Sequence, residues 1–320
     1  MTKLKLNHYH CSLEIKNGIA SISDHLNGFD IDYRSSVLEQ IIDIARDKNI
    51  NQIVTAYILD DKIQLRYPDI HFSFNLSNVG GYGWERMHKR YTQHPPINYN
   101  NFICSFNGSD HVSRKLLVAI LERFGYFTTN YCSKNFVFTR DKLDGHIVDY
   151  VGDQYNFYCK FFIADDSDAF FDTVNSFGHI RFEHANNIYN LENKLTESFL
   201  HVVSETMATS SVPFVTEKFL YSVVTRGLFL AYAQPGWHDH VEKHYGFKRY
   251  TKLFDYHFDS IQNPVERLVE LMTMISKFSV LSSADWKDLY QLETDTIEYN
   301  HAHYFSGDYL KYLQNFTNTA

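Results

Sequence analysis

The segment from 199 to 236, FLHVVSETMATSSVPFVTEKFLYSVVTRGLFLAYAQPG, constrains the fold more than any other part of the chain. Two apolar runs, 199–203 and 228–233, flank a long loop and a helical stretch that opens at Thr216. Short apolar runs of this kind read as strands buried on both faces, as in a parallel sheet. Strand, loop, helix, strand is the repeating unit of an α/β chain. The pattern recurs upstream. Residues 102–106 read as a buried strand, Asn107-Gly108-Ser109 as a turn, and 110–124 as a helix with Val112, Leu116, Leu117, Ile120, Leu121 and Phe124 on one side. Gly125 is a natural stop for that helix. Further strands are expected around 136–139 and 155–163. Asn263 and Pro264 predict the start of another helix, with Val265, Leu268, Val269, Met272 and Ile275 facing inward.

The first part of the chain reads similarly. Ser36 and Glu39 have capping-box spacing ahead of a helix over 36–47. Strands are expected at 53–59, 62–67 and 70–74, with a tight turn at Asp60-Asp61. Residues 75–101 are polar and irregular, with Gly80, Gly81, Gly83, Pro95 and Pro96, so a domain boundary is placed near Pro95. The expected architecture is two Rossmann-like α/β domains facing one cleft.

Composition narrows the function. Lysine and arginine number 30 against 38 aspartates and glutamates, a formal charge of -8. A protein that grips nucleic acid by bulk electrostatics leans the other way. The chain contains no run of the ~20 apolar residues that cross a bilayer. Residues 1–15 lack the apolar core of a secretory leader. Cys11, Cys104, Cys132 and Cys159 are scattered, which favours a reducing compartment over a disulfide framework. A cytoplasmic protein is expected. Tyr (23) and Phe (26) are abundant, which suits buried strands and also sugar-binding clefts.

Thr216-Glu217-Lys218 carries the chemistry. Thr216 suits an N-cap, and Glu217 in the first turn agrees with the helix dipole. Lys218 opposes that dipole, and makes better sense beside a bound anion, where free N–H groups also point. The surrounding segment resembles the donor-binding motif of GT-B glycosyltransferases, in particular the alpha-1,3-fucosyltransferases and the exostosin-like enzymes of phages and large viruses. Glu205 ends the apolar strand, Phe214-Val215-Thr216-Glu217-Lys218 opens the helix, and Gly227 precedes the next strand. Pro235-Gly236, Tyr245-Gly246-Phe247, Phe254-Asp255-Tyr256-His257-Phe258-Asp259 and Glu266-Arg267 follow in the order of the viral group. Upstream, 102–107 with Arg114 is similar to its strand–turn–helix that brings an arginine to the donor phosphates. The chain departs from the pattern where Leu228 replaces the proline after the glycine, and where Tyr256-His257-Phe258 replaces part of an acidic stretch.

The resemblance implies an acceptor-side domain at 1–97, a nucleotide-sugar domain at 98–285, and a helical tail at 286–320 crossing back to the first. It implies a glycosyltransferase that needs no metal. Lys218 and Arg114 would clamp the diphosphate, Glu217 would hold the ribose, and Asn107, Glu205 and Thr216 would complete the donor site. The partners would be a GDP- or UDP-linked sugar and a glycan or glycoprotein acceptor. The setting would be the cytoplasm, that of a host cell if the chain is viral. Charge grows on the diphosphate as the glycosidic bond breaks, so cations aimed at it stabilise the transition state.

Two alternatives stay open. One is a non-catalytic virion or surface protein that keeps the fold and binds glycans. The other is a GT-A-type transferase that holds a divalent metal on Asp166 and Asp168, since Asp166-Ser167-Asp168 resembles the DxD motif and hard oxygen ligands suit Mg²⁺ or Mn²⁺. His8/His10, His301/His303 and the set His238, His240, His244 have zinc-compatible spacing without flanking ligands. Trp84 is a candidate sugar platform, and Glu85 and Asp69 are candidate acceptor bases.

Overall fold

The computed structural model describes residues 2–5, 11–24, 31–55, 61–74, 99–107, 112–134, 194–205, 208, 213 and 215–312. These residues form an α/β protein with two sheets, each with its own apolar core. The first contains β1 (Thr2–Lys5), β2 (Cys11–Lys16), β3 (Ile19–Asp24), α1 (Ile31–Asp47), β4 (Gln52–Thr55), α2 (Asp61–Arg66) and β5 (His71–Phe74). The strands lie in chain order. β1–β2 and β2–β3 are antiparallel, while β3–β4 and β4–β5 are parallel. Asn17 (φ 53°) and Gly18 (φ 78°) make the two-residue turn between β2 and β3. Positive φ at both positions gives that turn a twist that matches its strands. Leu13, Ala20, Ile41, Ile42, Ala45, Ile53 and Ile70 fill the core of this sheet.

Two expectations change here. The helix expected from Ser36 begins at Ile31, so Ser36 lies inside it rather than at its start. The strand expected at 62–67 is the helix α2. Because β4 and β5 pair in parallel, the chain between them must cross over, and a hairpin at Asp60-Asp61 cannot provide that. Gln64 of α2 ties the crossover to β5. It donates to the Ile70 carbonyl at 2.6 Å and accepts from the Phe72 amide at 3.2 Å.

The second sheet is wholly parallel, in the order β7 (Tyr131–Lys134), β6 (Asn101–Asn107), β8 (Ser198–Ser204), β9 (Leu228–Tyr232). It is compatible with a Rossmann-like fold. β8 and β9 are buried at every position, which explains their continuous apolar runs. The helix α3 (Val112–Arg123) follows β6 and ends at Gly125, whose φ of 73° makes the αL stop that the sequence predicts. α4 (Tyr126–Thr129) leads into β7. α5 (Leu220–Val224) joins β8 to β9, and α6 (Trp237–Tyr245) follows β9. Next comes α7 (Pro264–Ser276), with Asn263 Oδ1 accepting from the amides of Val265 and Glu266 as its cap. α8 (Ser283–Leu292) and α9 (Thr294–Ser306) close the described chain. α3 packs with α7, and α5 with α9.

The C-terminal helices close the amino edge of this sheet. Trp286 of α8 stacks on Phe102 and Phe199, with ring centroids 5.8 and 5.9 Å apart. Ser283 Oγ donates to the Tyr99 carbonyl at 2.7 Å, and Tyr290 to the Arg226 carbonyl at 3.0 Å. These contacts sit where β6 and β9 begin. Trp286, Tyr290, Ile297, Tyr304 and Tyr309 therefore belong to the core of the second sheet. Asn300 clasps Lys248 by both its amide and its carbonyl, at 2.7 and 2.9 Å.

Two predictions follow from this packing. Gly246 has φ +78°, and a Cβ there would lie 2.7 Å from His303 Nε2 and 2.7 Å from the Tyr312 ring. His303 Nε2 already contacts the Tyr245 carbonyl at 2.7 Å, so it cannot give way freely. Gly246→Ala should cost about 1–3 kcal/mol in chemical denaturation. Second, burial pushes His201 of β8 down to about 3, and its Nδ1 lies 2.6 Å from Ser222 Oγ. The unfolded chain binds a proton near pH 6.5 that the folded chain refuses. Stability should therefore fall as pH drops below 6.5, by about 1.4 kcal/mol per pH unit from this residue. His240, held neutral by burial beside His244 and Lys243, acts in the same direction. In His201→Asn the stability–pH slope between pH 6 and 4.5 should shrink by one proton.

Candidate functional site

The strand order places a switch of direction in the second sheet. From β6 the chain goes to β7 on one side, and β8 returns on the other. Ligands of open parallel sheets bind outside the carboxyl ends of the strands at such a point. Here those ends are Asn107 of β6 and Ser204-Glu205 after β8. Both Asn107 and Glu205 are completely buried. Glu205 is locked to β9 through its amide, which donates to the Tyr232 carbonyl at 3.0 Å.

The structure gathers Glu205, Thr216 and Lys218 into one cluster. The Glu205 carboxylate accepts from the Thr216 amide at 3.1 Å and from Thr216 Oγ1 at 2.7 Å. Lys218 Nζ lies 3.5 Å from the same carboxylate and donates to Thr216 Oγ1 at 2.9 Å. Lys218 keeps 19% of its side chain exposed, while Glu205 keeps none. The carboxylate thus accepts hydrogen bonds from the chain's own Thr216 and lies beside its own Lys218. The neighbouring Tyr245 feels this charge: burial and the Glu205 carboxylate hold its phenol above the ordinary value.

The helix expected at Thr216 is shorter than the sequence implies. Glu217–Phe219 is a 3₁₀ turn and α5 spans five residues. Its dipole is correspondingly small. Thr216 Oγ1 accepts from the Lys218 amide at 3.4 Å, a weak cap. An anion that stands beside Lys218 in the fold is Glu205, eleven residues before Thr216 at the end of β8.

Arg114 lies in the first turn of α3 and is 4% exposed; its neighbour Lys115 is 2% exposed. Ser113 Oγ donates to the Glu205 carbonyl at 3.2 Å, which docks this turn against the cluster. Asn107 Nδ2 donates to Ser105 Oγ at 3.2 Å. The backbone of Glu217 is part of the 3₁₀ turn. Sequence reasoning did not assign roles to Ser113, Lys115 or Arg267. Arg267 is 1% exposed and holds three segments at once: it donates to the carbonyls of Ala233, Ala208, Ile261 and Gln262. It thereby braces the loop that leaves β8 and the end of β9. The available signals were adjacency, since Ser113 and Lys115 flank Arg114 in a strand–turn–helix unit, and for Arg267 its place in the Glu266-Arg267 pair.

The other candidates separate. Asp69 is tied to Arg46 at 2.8 and 2.9 Å, and that guanidinium lowers its pKa, which makes it a weaker base. His301 and His303 lie on α9, where residues two apart do not share a face as they would on a strand. His238 Nδ1 contacts Asp259 at 2.8 Å while its Nε2 accepts from the Ala231 amide at 3.0 Å, leaving neither nitrogen for a metal. His240 and His244 lie with ring centroids 4.4 Å apart on α6. Among the described residues no group of three or more His, Cys, Asp or Glu is placed to hold a metal. Trp84, Glu85, His8, His10, Asp166 and Asp168 lie outside the described residues. No described helix is long and apolar enough to cross a membrane. No protein-family model, curated protein or solved structure matches the chain.

The Thr216 hydroxyl is central to the cluster, since it donates to Glu205 and accepts from Lys218. Thr216→Val keeps the shape and removes one hydrogen bond from a buried carboxylate. It should cost about 1–3 kcal/mol in urea denaturation, with Thr216→Ser close to wild type.

Proposed function

We propose that the chain is a metal-independent glycosyltransferase of GT-B type. It moves a sugar from a nucleotide-sugar donor, GDP- or UDP-linked, to a glycan or protein acceptor. The observation that carries this reading is the placement of Lys218. It is a partly exposed cation beside the carboxyl end of β8, next to the switch of direction between β6 and β8. The resemblance of the segment from Glu205 to Arg267 supports the same reading.

In this proposal the donor diphosphate lies across the carboxyl ends of β6 and β8. Lys218 and Arg114 neutralise the charge that develops on the leaving nucleoside diphosphate, with Asn107 and Thr216 beside it. Glu217 takes the ribose hydroxyls. Glu205 fixes Thr216 and Lys218. The N-terminal region, 1–97, presents the acceptor across a cleft, and the protein works in the cytoplasm. A second reading, a glycan-binding protein that retains the fold without catalysis, is favoured by one observation: Lys218 already has an internal anion in Glu205.

The two readings diverge in nucleotide binding. GDP or UDP at millimolar concentration should raise the melting temperature by several degrees, and Lys218→Ala should abolish the rise. Nucleotide release from a panel of nucleotide sugars should persist in EDTA. A protein whose melting is indifferent to both nucleotides would support the non-catalytic reading. Activity lost in EDTA and restored by Mg²⁺ or Mn²⁺ would move the chemistry to Asp166 and Asp168.

A further inference from the structure

We infer that Glu205 is an exchangeable counter-anion: it occupies Lys218 while the site is empty and yields it to an incoming diphosphate, so that it sets the affinity of the site. The inference rests on the diphosphate reading above. Three features of the geometry carry it. First, the Glu205–Lys218 contact is loose. At 3.5 Å it is longer than a charge-assisted hydrogen bond of about 2.8 Å, and Lys218 makes its short contact, 2.9 Å, with the Thr216 hydroxyl instead.

Second, the partners are unequal. Glu205 retains two donors from Thr216, at 3.1 and 2.7 Å, whether or not Lys218 stays. The departure of the ammonium therefore leaves the carboxylate hydrogen-bonded. Third, only one partner has a way out. Glu205 is fully enclosed and pinned through its own amide to β9, whereas Lys218 reaches the surface on a flexible stem. A carboxylate fixed beside a phosphate site opposes a second anion through like charge and competes for the same cation. Burial keeps that opposition from being screened by salt. The arrangement therefore holds the cation in position before the ligand arrives and weakens the final complex.

The test is isothermal titration with inorganic pyrophosphate and with GDP and UDP. Glu205→Gln retains the acceptor for the Thr216 amide and removes the charge. It should bind pyrophosphate and the nucleotide about tenfold more tightly than wild type. The gain should vanish in the Lys218→Met background, because Glu205 acts through Lys218. Wild-type binding that Glu205→Gln leaves equal or weaker would overturn the exchange while the diphosphate reading stands. Absence of binding in every variant would overturn both. If Glu205→Gln does not fold, a crystal structure of the wild type with pyrophosphate decides. Lys218 should have left Glu205 with both Thr216 contacts intact; an ammonium still seated on Glu205 overturns the exchange.

Discussion

A carboxylate with no exposed surface is the constraint on which the carboxyl edge of the second sheet depends. Burying such a charge costs several kcal/mol unless donors and a cation are fixed around it. Glu205 obtains them from Thr216 and Lys218, whose amide, hydroxyl and ammonium converge on its two oxygens. The requirement spreads outward. Ser113 docks the first turn of α3 on the Glu205 carbonyl, and the Glu205 amide extends the pairing of β8 with β9. One buried residue thus ties β8 to the segment before α5 through its carboxylate, and to the helix after β6 and to β9 through its backbone.

The two edges of this sheet are built from opposite materials. At the amino edge, Trp286, Phe102 and Phe199 stack, and hydrogen bonds from α8 satisfy the carbonyls of Tyr99 and Arg226. Stacked aromatic rings over a buried edge contribute mainly apolar contact area. At the carboxyl edge, Asn107, Glu205, Arg114 and Lys115 are buried polar or charged groups within a short span. Arg267 adds a cation whose partners are backbone carbonyls of three segments. Aromatic packing is concentrated at one end of the strands, and the polar groups that a proposed chemistry needs lie at the other.

What the sequence made legible follows from how local each signal is. β6, β8 and β9 were readable because strands buried on both faces carry continuous apolar runs, and α7 was readable because Asn263-Pro264 marks a helix start within three residues. Alternation misled at 62–67, where parallel pairing of β4 with β5, a non-local fact, imposes a helical crossover. The Asn17-Gly18 turn was a local hairpin signal that the reading passed over. The burial of Trp286 against Phe102 and Phe199 depends on a contact far away in the chain and has no local signal.

Lys218 shows why the site was only half legible. An ammonium beside a helix start calls for an anion, and that demand can be read from three consecutive residues. Which anion answers it depends on where β8 ends, and Glu205 arrives there through sheet topology rather than sequence proximity. The helix itself is a 3₁₀ turn and five residues, too short to supply much of a dipole field. The electrostatic work at this edge is therefore done by side chains at fixed distances. A site of that kind is sensitive to the charge of each member and to the hydroxyl that links them, and much less sensitive to the length of the helix behind it.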